Sequence, residues 1–152
     1  MQQNTENRLS KLYEQYGYKR YIMSKFEEYD LYAKNKNFIN NENIITFTDL
    51  HGRLLALKPD VTLSIVKNTN ESENTVHKVY YNENVYRAPK GGNGFREMMQ
   101  VGLECLGNVD TYCISEVLYL AQKSLASISS NYLLSVSDLG LLSALLDTMG
   151  LT

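Results

Sequence analysis

Two polar side chains on one predicted strand are the residues in this sequence best placed to do chemistry. Over residues 95–106 a period of two puts Gln100, Gly102 and Glu104 on the same face. At roughly 3.3 Å per residue, Gln100 and Glu104 stand about 13 Å apart, with a glycine between them that leaves the surface open. This pattern predicts a polar floor for a ligand, and a solvated face of an antiparallel sheet is the alternative.

A second candidate region is the junction at which Pro59 ends a predicted strand and Asp60 follows it. An acidic side chain at this point can accept hydrogen bonds from the free N–H groups of a helix start. We therefore expect Asp60 to cap a short helix that continues through Val66 and carries Thr62 in its first turn.

The third region is the glycine-rich loop over residues 89–94, which follows Arg87. This loop leads into a strand rather than a helix, and it lacks the Gly-Lys-Ser/Thr ending of a phosphate-binding loop. A plain hairpin loop is therefore favoured over a phosphate site.

The periodicity of apolar residues predicts the elements that must position these side chains. Mostly antiparallel strands and flanking helices in this order predict an α+β domain, with helices on one sheet face and the other face open. At the start of the chain we expect a helix over 5–16 capped by Thr5, a strand over 18–24, and a helical turn and loop over 26–43. Next come antiparallel strands over 43–50 and 53–58 joined at His51-Gly52, the short helix after Asp60, a strand over 76–81, a turn over 82–84, and strands over 85–87 and 95–106. The last elements are a long helix capped by Asp110, a strand over 132–136 and a helix capped by Asp138, and the long helix has an apolar stripe at Ile114, Val117, Leu118, Ala121, Leu125 and Ile128.

Length and composition limit the classes of protein to which this chain can belong. Its 152 residues suit one domain, and 43% apolar with 21% charged residues indicates a globular fold. The net charge of -2 gives no overall field for nucleic acid, and no apolar run approaches the roughly 20 residues of a membrane span. Two histidines and two cysteines, Cys105 and Cys113, form no zinc pattern. We expect a cytoplasmic protein without metal, cofactor, membrane or nucleic-acid partner.

Four segments in this order resemble the catalytic core of class II histidyl-tRNA synthetase, and more closely its non-catalytic relative, the regulatory subunit of ATP phosphoribosyltransferase. Residues 12–32 resemble the family's dimer-forming motif 1, residues 54–62 its Arg-Pro-Glu-Gly-Thr segment, and residues 85–104 its motif 2, with Gln-x-Gly-x-Glu intact. The fourth segment is 132–151.

The resemblance implies a histidine-like ligand site. In the synthetases the second segment holds the amino group of histidine, and the motif 2 arginine, glutamine and glutamate contact histidine or the ATP phosphate. Carboxylates, amides and guanidinium groups suit these roles chemically. For each residue the alternative is local: a helix cap, a first-turn residue, a surface ion pair or a wet sheet face. The matching positions are Asp60, Thr62, Arg87, Gln100 and Glu104.

Departures from the synthetase pattern favour the regulatory subunit. Asp60 and Val61 stand where synthetases carry Glu-Gly, and Ala88 stands where they place a glutamate after the motif 2 arginine. The sequence ends at Thr152, before the family's later histidine-specific segment, motif 3 and anticodon-binding domain. The resemblance thus implies one incomplete class II domain over 1–152, with no catalytic residues.

The function implied is that of a non-catalytic regulatory subunit, required with the short catalytic subunit of ATP phosphoribosyltransferase for the first step of histidine biosynthesis. Its expected partners are that catalytic subunit, a second copy of itself through the first helix and residues 18–24, and histidine as the ligand that it senses. Two alternatives remain open: a fragment of a histidyl-tRNA synthetase core that activates histidine with ATP, and a paralogue that serves merely as a dimerisation platform.

Overall fold

The computed structural model describes residues 2–35, 44–69, 75–87 and 94–150 and confirms the α+β class. Within these ranges no helix is long and apolar enough to cross a membrane. The elements in chain order are α1 (Gln2–Gln15), β1 (Lys19–Arg20), β2 (Phe26–Glu28), α2 (Asp30–Lys34), β3 (Thr46–Thr48), β4 (Leu54–Leu57), α3 (Thr62–Asn68), β5 (Val76–Arg87), β6 (Arg96–Gly107), α4 (Thr111–Ile128) and α5 (Leu139–Thr148).

The strands form two small sheets, and most of their pairing is antiparallel. β5 and β6 pair antiparallel along their whole lengths, and the short β1 joins β5 as a parallel neighbour. A second sheet has the order β2-β4-β3 with antiparallel pairs. The predicted hairpin is confirmed: Gly52 has φ +78°, and Asp49 Oδ1 accepts hydrogen bonds from the backbone N–H groups of His51 and Arg53 at 2.8 and 2.9 Å.

One long strand replaces the predicted strand, turn and strand over 76–87. Asn82 and Asn84 suggested a turn, but both have partners on β6 in the antiparallel register. Their side chains are also bonded: Asn82 Nδ2 donates to Glu6 at 3.1 Å and Asn84 Nδ2 donates to Glu97 at 2.6 Å. Cross-strand pairing and these bonds together outweigh the turn preference of asparagine.

Helices α1 and α4 cover one face of the β1-β5-β6 sheet. The core here consists of Leu9, Tyr13, Tyr18, Tyr80 and Leu120. The Tyr13 hydroxyl and Ser124 Oγ form a buried hydrogen bond of 2.9 Å that joins the two helices.

The predicted apolar stripe of α4 is confirmed only in part. Val117, Ala121 and Leu125 are half-buried, whereas Ile114, Leu118 and Ile128 are exposed. The fully buried residues of the helix are Cys113, Glu116, Leu120 and Ser124. The physical reason is polar: Lys78 Nζ forms an ion pair with Glu116 at 2.6 Å, and Ser124 bonds to α1. These long-range bonds set which side of α4 faces the sheet.

The opposite face of the same sheet does not stay open as predicted. Val61 and Ile65, at the start of α3 and within it, pack on Tyr81 and Val85 of β5 in a separate buried cluster. The sheet is therefore covered on both sides near the end of β5 that leads to Arg87.

Several local predictions fail while others are confirmed. Thr5 lies inside α1 and does not cap it, the strand predicted over 18–24 contains two strand residues, and the stretch 26–43 includes β2 as well as α2. No strand forms over 132–136. The caps Asp110 and Asp138 are confirmed, since each accepts a hydrogen bond from a backbone N–H three residues on, at 2.8 and 2.9 Å. Residues 36–43 and 88–93, which include all of the glycine-rich loop except Gly94, lie outside the described residues.

Candidate functional site

The structure brings all five predicted site residues to one region, where the turn before α3 crosses the β5–β6 hairpin. Asp60 and Thr62 lie at the start of α3, which packs on this face of the sheet. Arg87 ends β5, and Gln100 and Glu104 lie on β6. Their hydrogen bonds divide them into two groups.

The first group is centred on Arg87. Its Nη2 lies 3.1 Å from Asp60 Oδ2 and 3.2 Å from Gln100 Oε1, and its Nε donates to the Pro59 carbonyl oxygen. Gln100 Nε2 in turn donates to the Tyr81 hydroxyl at 3.1 Å. The guanidinium of Arg87 is thus held by three acceptors from two neighbouring segments, although its side chain is 41% exposed.

Asp60 binds Arg87 more closely than it binds the backbone of α3. The residue at the N-cap of α3 is Val61, which makes no side-chain cap bond. Asp60 Oδ1 accepts from the Leu63 N–H at 3.4 Å, beyond the usual range for a strong bond of this type. The predicted cap is thus met only by this long bond, while the other carboxylate oxygen of Asp60 binds Arg87 at 3.1 Å.

The second group joins Thr62 to Glu104. Thr62 Oγ1 donates to Glu104 Oε1 at 2.6 Å. Burial raises the pKa of Glu104, and the nearby Asp60 carboxylate raises it further, while the bond from Thr62 lowers it. Among the described residues no lysine, arginine or histidine forms an ion pair with Glu104. A desolvated carboxylate without a cation is a place where a cationic ligand would be stabilised.

Tyr81 fills the space that the sequence predicted to be an open floor above Gly102. A Cβ atom at position 102 would lie 2.5 Å from the Tyr81 hydroxyl oxygen and 2.6 Å from its Cζ, so only glycine accommodates the ring. Tyr81 is 5% exposed, and burial together with the charge of Glu104 raises its pKa to about 12. The tyrosine therefore stays a neutral hydrogen-bonding group between Gln100 and Glu104.

A buried ion pair beside Gln100 stabilises the same region. Lys58 Nζ lies 2.9 Å from Glu83 Oε2, and the lysine side chain is fully buried. Glu83 stands directly opposite Gln100 in the β5–β6 register. No group of three His, Cys, Asp or Glu side chains in the described part of the chain is placed to hold a metal ion.

Sequence analysis missed Tyr81, Lys58 and Glu83. Reading β5 as one strand would have found two of them, because a period of two places Tyr81 and Glu83 on the face that carries Arg87. Lys58 gave no such signal, since a lysine beside a proline is ordinarily read as exposed.

The close approach at Gly102 gives the first testable prediction. We expect Gly102→Ala to lower the free energy of unfolding by about 1–3 kcal/mol, because the added methyl group overpacks the Tyr81 ring. Urea denaturation measures the change. In a Tyr81→Ala background the same substitution should cost almost nothing, as the ring that it meets is gone. An equal cost in both backgrounds would show that the ring is not the cause.

An antiparallel hairpin backed by two helices, with a strand–turn–helix carrying Pro59, Asp60 and Thr62 across its other face, defines a class II aminoacyl-tRNA synthetase-like core. Within this class, the profile of the family described as histidyl-tRNA synthetase matches residues 1–152. The chain belongs to the histidyl-tRNA synthetase family.

Relatives by sequence carry two different names. A histidine–tRNA ligase from Methanocaldococcus jannaschii is 33% identical over 147 residues, covering 93% of this chain and 35% of the relative. An ATP phosphoribosyltransferase regulatory subunit from Ruminiclostridium cellulolyticum is 28% identical over 127 residues, covering 81% of this chain and 30% of the relative. The chain thus spans about a third of the length of these curated relatives.

Solved structures show the same fold. An ATP phosphoribosyltransferase regulatory subunit/histidyl-tRNA synthetase from Bacillus halodurans has a TM-score of 0.69 at 23% identity, covering 82% of this chain and 33% of that one. The ATP phosphoribosyl transferase (HisG:HisZ) complex from Thermotoga maritima has a TM-score of 0.67 at 19% identity, covering 86% of this chain and 44% of that one.

Proposed function

We propose that this chain is part of a non-catalytic regulatory subunit of ATP phosphoribosyltransferase that senses histidine. The observation that supports the proposal is that the guanidinium of Arg87 donates hydrogen bonds to Pro59, Asp60 and Gln100. An arginine that stabilises charge on a transferring phosphate must present free donors to it. These acceptors use the Nε and Nη2 donors of Arg87, so only its Nη1 group remains for a ligand, and the residue serves mainly to join the turn before α3 to β6.

The histidine site itself is proposed on the chemistry of the five predicted residues. Glu104 offers a buried carboxylate without a cationic partner, which suits the imidazole ring or the ammonium group of histidine. Because Asp60 is already paired with Arg87, an ammonium at this end would share its carboxylate with the guanidinium. Tyr81 and Gln100 add neutral donors and acceptors between the two carboxylates.

Sequence departures and one structural neighbour support the regulatory assignment. Asp60, Val61 and Ala88 replace residues that synthetases use around histidine and ATP. The fold is shared with a chain of the Thermotoga maritima complex, which contains a partner subunit. We therefore propose the short catalytic subunit of ATP phosphoribosyltransferase as the partner of this protein in histidine biosynthesis.

The second candidate is a histidine–tRNA ligase core, and the identity of 33% to a relative of that name favours it. This function would require ATP-dependent activation of histidine. It predicts that ATP contacts Arg87 through the Nη1 group, which is left over by its bonds to Pro59, Asp60 and Gln100.

Two assays on the protein at its full natural length separate these candidates. We expect no histidine-dependent ATP–pyrophosphate exchange above background, because protein acceptors take the Nε and Nη2 donors of Arg87 and Ala88 replaces an acidic residue. Mixing with a short catalytic subunit should raise ATP phosphoribosyltransferase activity and make it sensitive to histidine. Robust exchange without such activation would establish the ligase instead.

We also expect the chain to form a dimer, and the burial of its residues changes which of them can form the interface. Tyr13 and Tyr18, which lie in the two segments predicted to form the interface, are 3% and 2% exposed and belong to the core. Ile22, in the stretch 18–24, remains 74% exposed. We expect light scattering at micromolar concentration to report a dimer, and Ile22→Glu to shift it to monomer, because a charge is costly in an apolar interface. A monomer mass for the unsubstituted chain would contradict this surface.

A further inference from the structure

A basic groove lies between α1 and α4, on the sheet face opposite to the candidate histidine site. Its volume is about 530 Å³. No aspartate or glutamate lines it among the described residues. The polar lining consists chiefly of three basic residues, Arg8, Lys11 and Lys123, and three amides, Asn4, Asn7 and Gln15.

The acidic residues of α1 do not neutralise the positive charge of this groove, because their side chains point toward β5. Glu6 accepts a hydrogen bond from Asn82 at 3.1 Å, and Glu14 accepts one from the Tyr80 hydroxyl at 2.6 Å, so both carboxylates are bound to β5. Lys11 has no ion-pair partner in the described ranges. A chain with a net charge of -2 thus carries a local cluster of positive charge.

Direct bonds between the two helices hold the walls of the groove in place. An Arg8 guanidinium N–H donates to the Ser127 carbonyl oxygen at the end of α4. One turn away, Tyr13 and Ser124 form their buried bond of 2.9 Å. Lys123 is positioned as well, with Nζ 5.2 Å from the centre of the Tyr119 ring. A preformed groove loses little conformational entropy when a ligand binds.

We infer that this groove binds a small phosphate-bearing molecule. Its volume falls within the range of small-molecule sites. Guanidinium and ammonium groups bind phosphate oxygens by charge-assisted hydrogen bonds, and amide side chains add neutral donors. Three cations with no carboxylate among them match a ligand with two or three negative charges. This site is separate from the proposed histidine site, so either assignment can fail without the other.

Calorimetric titration of the 152-residue chain with inorganic pyrophosphate tests the inference. We expect saturable binding that weakens as salt is raised, because exposed charges are screened. Lys11→Gln and Lys123→Gln should each raise the dissociation constant about fivefold. The matched control is Lys34→Gln on α2, an exposed lysine paired with Asp30 that does not line the groove; it should change nothing.

Three results would overturn the assignment. The first is no saturable binding of pyrophosphate in the millimolar range by a chain that circular dichroism shows to be folded. The second is equal competition by sulfate, which would identify an unselective anion-binding surface. The third is far tighter binding of a single-stranded RNA oligonucleotide than of pyrophosphate, with the RNA binding lost in the same two variants. This result would assign the groove to a polynucleotide.

Discussion

Replacing Lys58 by methionine should lower the free energy of unfolding by about 3–5 kcal/mol, because it leaves the Glu83 carboxylate buried without its partner. The ammonium group is fully buried and lies 2.9 Å from Glu83 Oε2, so water has little access to replace it. Methionine conserves the length and most of the volume of the lysine side chain. Urea denaturation followed by circular dichroism measures the loss.

Two controls separate charge from packing in this experiment. The exposed ion pair of Lys34 with Asp30, 3.8 Å long, offers the comparison, and Lys34→Met should cost at most about 1 kcal/mol. The double variant Lys58→Met with Glu83→Gln should regain part of the lost stability, since the orphaned charge is gone. If Lys58→Met costs no more than Lys34→Met, the buried ion pair does not stabilise the site.

Glu104→Gln should weaken histidine inhibition of the assembled ATP phosphoribosyltransferase about ten- to a hundredfold, as a charge-assisted hydrogen bond worth roughly 1.5–3 kcal/mol is lost. Glutamine still accepts the bond from Thr62, so the substitution removes the charge while leaving the local contact in place. Because coupling between sites is reciprocal, the weaker binding of histidine reduces its effect on the catalytic partner. The half-inhibitory concentration of histidine is the measurement.

The matched control is Glu97→Gln on the same strand. Glu97 lies on the opposite face of β6 and accepts hydrogen bonds from Asn84 and Tyr86, so histidine inhibition should be unaffected. Size-exclusion chromatography should show unchanged assembly for both variants. Unaltered inhibition in both Glu104→Gln and Gln100→Ala would place the sensor site elsewhere, most directly on the catalytic subunit.

Local patterns predicted much of the fold because they depend on neighbours in the chain. The caps at Asp110 and Asp138 and the hairpin at Gly52 follow from bonds within four residues, and the structure confirms them. The period of two along β6 also held, and it placed Gln100 and Glu104 on the face that meets α3.

The errors occur where distant segments compete with local preference. Asparagine at 82 and 84 favours a turn, but pairing with β6 keeps β5 continuous. The composition of α4 favours a stripe through Ile114, but the ion pair between Glu116 and Lys78 shifts the buried face away from that residue. Each outcome depends on a partner that is far away in the chain.

The candidate site shows the same division most clearly. The residue types at Asp60, Thr62, Arg87, Gln100 and Glu104, and their order along the chain, are properties of the sequence, and the resemblance to the synthetase family joined them into one predicted ligand site. That Arg87 binds Asp60, that Tyr81 covers Gly102, and that Lys58 is buried against Glu83 came from packing alone. These contacts join residues 21 to 27 positions apart, and their energies exist only after the hairpin and α3 have met.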